Sequence, residues 1–235
     1  MPANKIIFET NHLLATIPRQ ASQRMQAELE SVDLNYGEVL YEPEDTIRHV
    51  YFPVNCLVSL LTAVDKGRTL EVGMVGNEGM VGMPMALGIG ISAVRALVQG
   101  EGQALRMSAA HFRVEFKRNP VLQKALFRYT HLLMAQIAQT AACNRFHAAD
   151  ARLARWLLMT SDRLHADHFR LTHEFLAHML GIRRGGVTQA ATQLEQRKLI
   201  AYRRGNISIL NRKGLEAAAC TCYTIVRNLQ VSAQA

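Results

Sequence analysis

The sequence predicts an α+β chain made of an N-terminal antiparallel β-roll, a long connecting helix and a C-terminal winged helix-turn-helix. Three observations carry that prediction. Between Tyr36 and Met107 short apolar or alternating runs recur between turn signals, the texture of antiparallel strands. From Val121 to about Phe146 apolar residues recur at helical spacing without a break. Leu171 to Ile200 reads as two short helices around a glycine turn, and a strand pair follows it. The corresponding segments are 1–118, 119–147 and 148–235.

At 235 residues with 49% hydrophobic content the chain can bury a core and is neither disordered nor fibrous. Its net charge of +8 is unevenly placed. Residues 1–144 hold 13 basic and 13 acidic side chains, whereas residues 145–235 hold 14 and 6. The whole excess lies in the C-terminal part, where Arg183, Arg184, Arg197, Lys198, Arg203, Arg204, Arg212 and Lys213 face one acid, Glu195. That footprint favours nucleic acid over a membrane surface, because no helix pairs a lysine-rich face with a large apolar one. The longest uncharged run, Gly79 to Val94, contains several glycines and Pro84 and is too short to cross a bilayer. With no signal peptide apparent, a cytoplasmic protein is expected.

Taken in order, residues 1 to about 34 read as a helical preface, with a short amphipathic helix around Arg24 to Leu29. Strands are expected at Val39–Tyr41, Val50–Phe52, Cys56–Leu61, Thr69–Val75, Ala93–Val98 and Gln103–Met107, with a hairpin turn at Asp65–Arg68. Glycines 73, 76, 79 and 82 do not make a P-loop, since no Gly-Lys-Ser/Thr follows, and no long helix follows at once as a dinucleotide fingerprint requires. Tight corners of the roll account for them. Ser108 is placed to cap a helix running to about Lys117, and Asn119-Pro120 restarts the chain. In the long helix Leu122, Leu126, Tyr129, Leu133 and Ile137 alternate four- and three-residue steps. That seam-like stripe makes the helix a candidate for pairing with a second copy, the alternative being that it lies against the roll. A further helix from Asp150 turns Leu153, Trp156, Leu157 and Met159 inward, and the last helix is expected over Gly214 to about Gln230.

Within Leu171–Ile200, Thr172 is an N-cap, Gly181 ends the first helix, and the second runs from about Arg184 to Lys198. Val187, Ala190, Ala191 and Leu194 share its inner face, leaving Arg184, Thr188 and Gln189 outward. Arg can fork onto guanine and Gln onto adenine, so this is the chemistry of a major-groove reader. Leu199–Tyr202 and Ile207–Leu210 around Arg203-Arg204-Gly205-Asn206 then form a wing whose tip arginines suit phosphates. The competing reading is a small-molecule-binding or protein-interaction module whose helix-turn-helix no longer binds DNA. Gly185 and Gly186 favour it, since glycine weakens a helix.

No catalytic constellation is present. The nine histidines contain no His-x3-His pair with an adjacent Glu, and there is no Gly-x-Ser-x-Gly elbow, so no enzyme is predicted. Cys56, Cys143, Cys220 and Cys222 are too scattered for a disulfide scaffold, and Cys220-Thr-Cys222 lacks the two-residue spacer of common metal pairs. They read as buried thiols, with no metal site expected.

The order of roll, long helix and winged helix-turn-helix resembles the Crp/Fnr family of bacterial transcription regulators over nearly the whole chain. The likeness is most specific at Leu171–Ile200, where Leu171-Thr172, Gly181, Val187 and Leu199-Ile200 keep the family's spacing. The resemblance implies a cyclic-nucleotide-binding-like roll and a homodimer joined along the long helix. It also implies two recognition helices in successive major grooves of a near-palindromic operator on double-stranded DNA, with RNA polymerase as a further partner. The family's base-reading positions fall on Arg184, Gly185 and Gln189; only Arg184 keeps the familiar residue, which implies a different operator. Arg183, Thr188, Arg203 and Arg204 are the implied phosphate contacts. The family's nucleotide pocket falls on Gly82-Met83 and Ile91-Ser92-Ala93. There Met83 replaces the ribose-binding carboxylate and Ile91 the phosphate-binding arginine, so a cyclic nucleotide is not the expected effector. The N-terminal cysteine cluster of the iron-sulfur members is absent, and no haem ligand stands out. No cofactor is predicted, and the effector is left open.

Overall fold

The computed structural model describes residues 8–64 and 68–234. Of the hairpin turn expected at Asp65–Arg68, only Arg68 lies among them. The chain forms two compact units. The first contains residues up to Leu60 and Gly73–Met134; the second contains Leu61–Val72 and Ala135–Val231.

The first unit is the roll. Helices α1 (His12–Ala15) and α2 (Arg19–Ala27) lead into strands β1 (Glu30–Leu34), β2 (Val39–Tyr41), β3 (His49–Pro53), β4 (Leu57–Val64) and β5 (Arg68–Val75). A 3-10 turn (Met83–Leu87) and strands β6 (Arg95–Gly100) and β7 (Gly102–Ser108) follow. One sheet has the order β1-β7-β3 and another β2-β6-β4-β5. The antiparallel β1–β7 register sets Glu30 opposite Arg106, and the two side chains form an ion pair at 2.7 Å. Strand β1 corrects the expected helical preface: ESVDL is polar on its exposed residues and carries little apolar alternation, so only its pairing reveals it. The preface also anchors the fold, because the fully buried Asn11 donates to the carbonyls of Pro53 and Gly79 while accepting from the Leu14 N–H.

Two of the four glycines have distinct physical reasons. Gly82 adopts φ 100°, a left-handed conformation costly for other residues. Gly79 is a close approach instead of a corner: a Cβ there would lie 2.0 Å from the Tyr129 ring. Helix α3 (Ala109–Arg118) is capped by Ser108, whose Oγ accepts from His111 N–H, as expected.

Asn119 caps the long helix α4 (Pro120–Phe146) by accepting from the Leu122 N–H. Its predicted stripe is turned toward the chain's own core. Leu122, Leu126, Tyr129 and Leu133 are buried and Ile137 is half-buried, so four of the five residues expected to meet a second copy already pack intramolecularly. A different row is open: Phe127, His131, Met134, Ala138 and Ala141 are all exposed and alternate four- and three-residue steps.

In the second unit, α5 (Ala149–Leu164) lies against α7 (Arg184–Gln196) and α8 (Arg212–Ala218). Trp156 is buried, as expected, and its indole N–H donates to Glu71 at 2.8 Å. The final helix departs from prediction. It is split into α8 and α9 (Cys222–Gln234), with Ala219 extended between them.

Candidate nucleic-acid interface

The helix-turn-helix forms because each local signal is satisfied. Thr172 Oγ1 accepts from the Phe175 N–H at the start of α6 (His173–Leu180). Gly181 ends it at φ 61°, and Leu176, Met179 and Leu180 are buried. In α7, Val187, Ala190, Ala191 and Leu194 are all at most 2% exposed, which fixes the helix by its inner face. The small alanines let α7 approach its neighbours closely, while burial of Leu194 contributes about 1.5–3 kcal/mol. The helix ends in a Schellman arrangement: Leu199 N–H donates to Leu194 C=O, Lys198 N–H donates to Glu195 C=O, and Lys198 takes φ 56°.

The outer face then presents the base-reading candidates. Arg184, Gly185 and Gln189 are all exposed. Space around Gly185 is open, with no atom within 4 Å of an added Cβ. Arg183 sits at the N-cap without a side-chain capping bond, and its carbonyl accepts the Gly186 and Val187 N–H groups. Thr188 is exposed but engaged: its hydroxyl bonds the Arg184 carbonyl at 3.1 Å and pairs with His173 Nδ1 at 3.0 Å.

His173 is a positioning residue that sequence patterning missed. Its ring stacks on Tyr202 with centroids 4.3 Å apart, so it joins α6, α7 and the wing. Burial lowers its pKa, the nearby Arg184 charge lowers it further, and Glu195 opposes both. Glu195, the lone acid of the basic stretch, accepts the Tyr202 N–H at 2.8 Å and so braces the wing as well.

The wing is the antiparallel pair β9 (Ile200–Arg203) and β10 (Asn206–Ile209). Arg203 faces Asn206 across a two-residue loop in which Arg204 has φ 49° and Gly205 φ 80°. Both central residues are left-handed, as a type I′ hairpin turn requires. Leu171 N–H donates to Gly205 C=O at 2.7 Å, tying this turn to the entry of α6. A third strand, β8 (His168–Arg170), pairs with β10 and places Arg170 opposite Asn206. Directly paired residues share a sheet face, so Arg170 and Arg203 flank Asn206 on one face. Arg170 was not among the expected contacts because a three-residue strand leaves no periodic signal. Conversely, Arg212 belongs to an internal network with Asp162, Glu216 and Tyr223.

In the roll, Gly82 and Met83 open the 3-10 turn, and Met83 is buried. Ile91 is 53% exposed, Ala93 is exposed, and the buried Ser92 turns its hydroxyl to the Val94 carbonyl at 2.7 Å. The nearby cation Arg95 is held by Glu42 at 2.7 Å. Among the described residues one group has the donor types and closeness for a metal ion: Cys143, His147, Cys220 and Cys222. No described helix is long and apolar enough to cross a membrane.

Residues 151–218 match the Crp-like helix-turn-helix domain family. No curated protein matches the chain. Among solved structures, the chain is similar to FixK2 from Bradyrhizobium japonicum, with a TM-score of 0.69, 16% identity, and 82% of this chain and 98% of that one covered. It is similar to CLP, a c-di-GMP-responsive global regulator from Xanthomonas campestris, with a TM-score of 0.67, 17% identity, and 82% and 99% coverage. TTHA1359, a Crp/Fnr-family transcriptional regulator from Thermus thermophilus, aligns with a TM-score of 0.65, 23% identity, and 81% and 98% coverage. Residues 151–218 therefore form a Crp-like helix-turn-helix domain, and the chain shares the fold of these solved structures.

Proposed function

We propose that the protein is a homodimeric, sequence-specific DNA-binding transcription regulator. The observation that carries this reading is α7: its inner face is sealed in the core while Arg184, Gly185 and Gln189 are presented together outward, beside a wing carrying Arg203, Arg204 and Arg170. Arg184 and Gln189 read base edges; Arg183, Arg203, Arg204 and Arg170 neutralise phosphates. Thr188 acts chiefly by holding α6 and α7 together, since its hydroxyl is already engaged.

The second copy meets the exposed row Phe127, His131, Met134, Ala138 and Ala141 of α4, whose heptad-like spacing suits a parallel helix pair. Control passes through the ends of β4 and β5, residues 61–64 and 68–72, which lie in the same unit as the helix-turn-helix. Leu70 fills the space beside Gly181, and Glu71 holds Trp156, so a shift of that hairpin end reorients the helix-turn-helix. The effector is not a cyclic nucleotide, because Ile91 offers no counter-charge and Arg95 is already paired. Calorimetry showing micromolar cyclic-nucleotide binding contradicts that part.

The test is fluorescence anisotropy with duplex DNA across a salt series. Affinity falls with a log-log slope of about −0.9 per phosphate contact. Arg184→Ala costs about 1–3 kcal/mol at one base position and relaxes preference there, whereas Arg203→Ala weakens all duplexes alike and shallows the slope by about 1 per lost contact. Identical uniform losses in both variants, or binding indifferent to salt, overturn the assignment.

A further inference from the structure

Cys143, His147, Cys220 and Cys222 are far apart in sequence but meet in the second unit. Cys143 lies in the last turns of α4, and His147, four residues on, immediately follows that helix. Cys220 lies in the break between α8 and α9, and Cys222 opens α9. The three sulfurs belong to buried residues and His147 is half-buried. All four donor atoms lie within 4.8 Å of one another. Cys143 Sγ is 3.4 Å from Cys220 Sγ, and Cys222 Sγ is 3.4 Å from His147 Nδ1.

Those separations, 3.4 Å for two pairs and none above 4.8 Å, are on the scale of the edges of one small tetrahedron. With zinc–sulfur bonds of ~2.3 Å, tetrahedral geometry sets sulfurs ~3.8 Å apart. A disulfide would need Cys143 and Cys220 at ~2.05 Å, so the pair is unbonded. An iron-sulfur cluster interposes several atoms between its ligands and would hold them wider than this group stands.

Two independent features point the same way. Arg152 and Arg155 are buried at 7% and 5% exposure, and the Nε of each has no hydrogen-bond partner. Neither has a carboxylate partner among the described residues, yet both are close enough to Cys143 and Cys220 to interact electrostatically. A divalent ion with three thiolates and a neutral imidazole carries net charge −1, which gives this buried positive charge its counterpart. The second feature is the break itself. An apolar periodicity that predicts one continuous helix is interrupted at Ala219 without glycine or proline, and that interruption brings Cys220 and Cys222 alongside Cys143 and His147. Gln139 Nε2 also donates to Cys222 Sγ at 3.0 Å, the outer-shell bond that a metal-bound thiolate accepts.

We infer that Cys143, His147, Cys220 and Cys222 form a Cys3His site for a single tetrahedral, thiophilic divalent cation of the zinc(II) class. Binding forms three metal–sulfur bonds and one metal–nitrogen bond, and the three thiol protons leave to solvent; no electron is transferred. The bound ion would tie the end of α4 to the start of α9. Arg152 extends the link, because its guanidinium donates to Asn144 Oδ1 and to the carbonyl of Leu180, the last residue of α6. The site therefore braces the helix-turn-helix from behind.

The test uses the full chain, stripped with a chelator under anaerobic reducing conditions and titrated with cobalt(II) alone, then zinc(II). One cobalt per chain should bind with intense tetrahedral d–d bands and a thiolate charge-transfer band, both bleached by one equivalent of zinc. Cys56→Ser should leave the spectra unchanged. Cys222→Ser and the milder His147→Ala should weaken binding by more than the ~10–100-fold that losing an outer-shell partner costs. His147 is only half-buried, so its variant keeps the test decisive if the cysteine variant fails to fold. The inference is overturned by weak octahedral spectra, by unsaturable binding, by full affinity in folded His147→Ala, or by iron and sulfide in anaerobically isolated protein.

Discussion

Gly185→Ala separates what the fold needs from what the DNA needs. Gly185 is the second residue of α7, is exposed, has no positive φ, and has nothing within 4 Å of an added Cβ. The fold thus gives no steric reason for glycine, and alanine should stabilise the helix by about 0.5–1 kcal/mol, toward the lower end because the first turn is only partly constrained. That corresponds to a rise in Tm of roughly 2–6 °C for a unit of about 100 residues. Gly186 is nearly as open, with only Ile182 Cδ1 at 3.6 Å, so the double variant should gain close to twice as much. The functional effect runs the other way. At a base-reading position, a bare backbone lets the helix sit close in the groove, and a methyl there should change the preferred base or weaken specific binding while leaving non-specific binding intact. Thermal melts and anisotropy on specific and scrambled duplexes measure both. A Gly185→Ala protein that is less stable refutes the energetic reasoning, and one that is more stable with unchanged specific affinity removes position 185 from the DNA contact.

Other outcomes follow from the same geometry. Phe127→Glu with Met134→Glu should give folded monomers by sedimentation, whereas Leu126→Asp, in the buried row, should destabilise the roll by several kcal/mol instead. Leu194→Ala empties a fully buried site and should cost about 2–5 kcal/mol in denaturant unfolding. Arg204→Gly removes both a left-handed strain and a cation, so it should stabilise the wing slightly while shallowing the salt slope by about 1 per lost contact. His173 carries a lowered pKa, so the unfolded chain takes up its proton first. Stability from this group is whole above the unfolded value of about 6.5 and is lost as pH falls from there through the lowered folded value. Denaturation midpoints between pH 7.5 and 5 should therefore fall less in His173→Phe, which keeps a ring against Tyr202.

The helix-turn-helix was legible because its signals are local: a hydroxyl at Thr172, a glycine at Gly181, and an apolar face closed by Val187 and Leu194. The roll was legible for the same reason, except at β1, whose polar alternation resembles a surface segment until β7 pairs with it. Helix α4 shows a different limit. Periodicity identifies the apolar stripe at Leu122, Leu126, Tyr129 and Leu133, but not whether it faces the chain's own core or a second copy. The open row is masked by His131 and two alanines. Arg170 and the four-residue Cys-His group depend on pairings across tens of residues, which spacing along the chain does not encode.

Two copies of α7 reading DNA side by side leave a signature that selection of bound sites from random duplex DNA by the 235-residue chain detects. The expected result is a near-palindrome whose half-sites lie about one helical turn, ~34–36 Å, apart and whose half-site contains a guanine lost as a preference in Arg184→Ala. Enrichment of no duplex, or of an isolated half-site indifferent to Arg184, contradicts it.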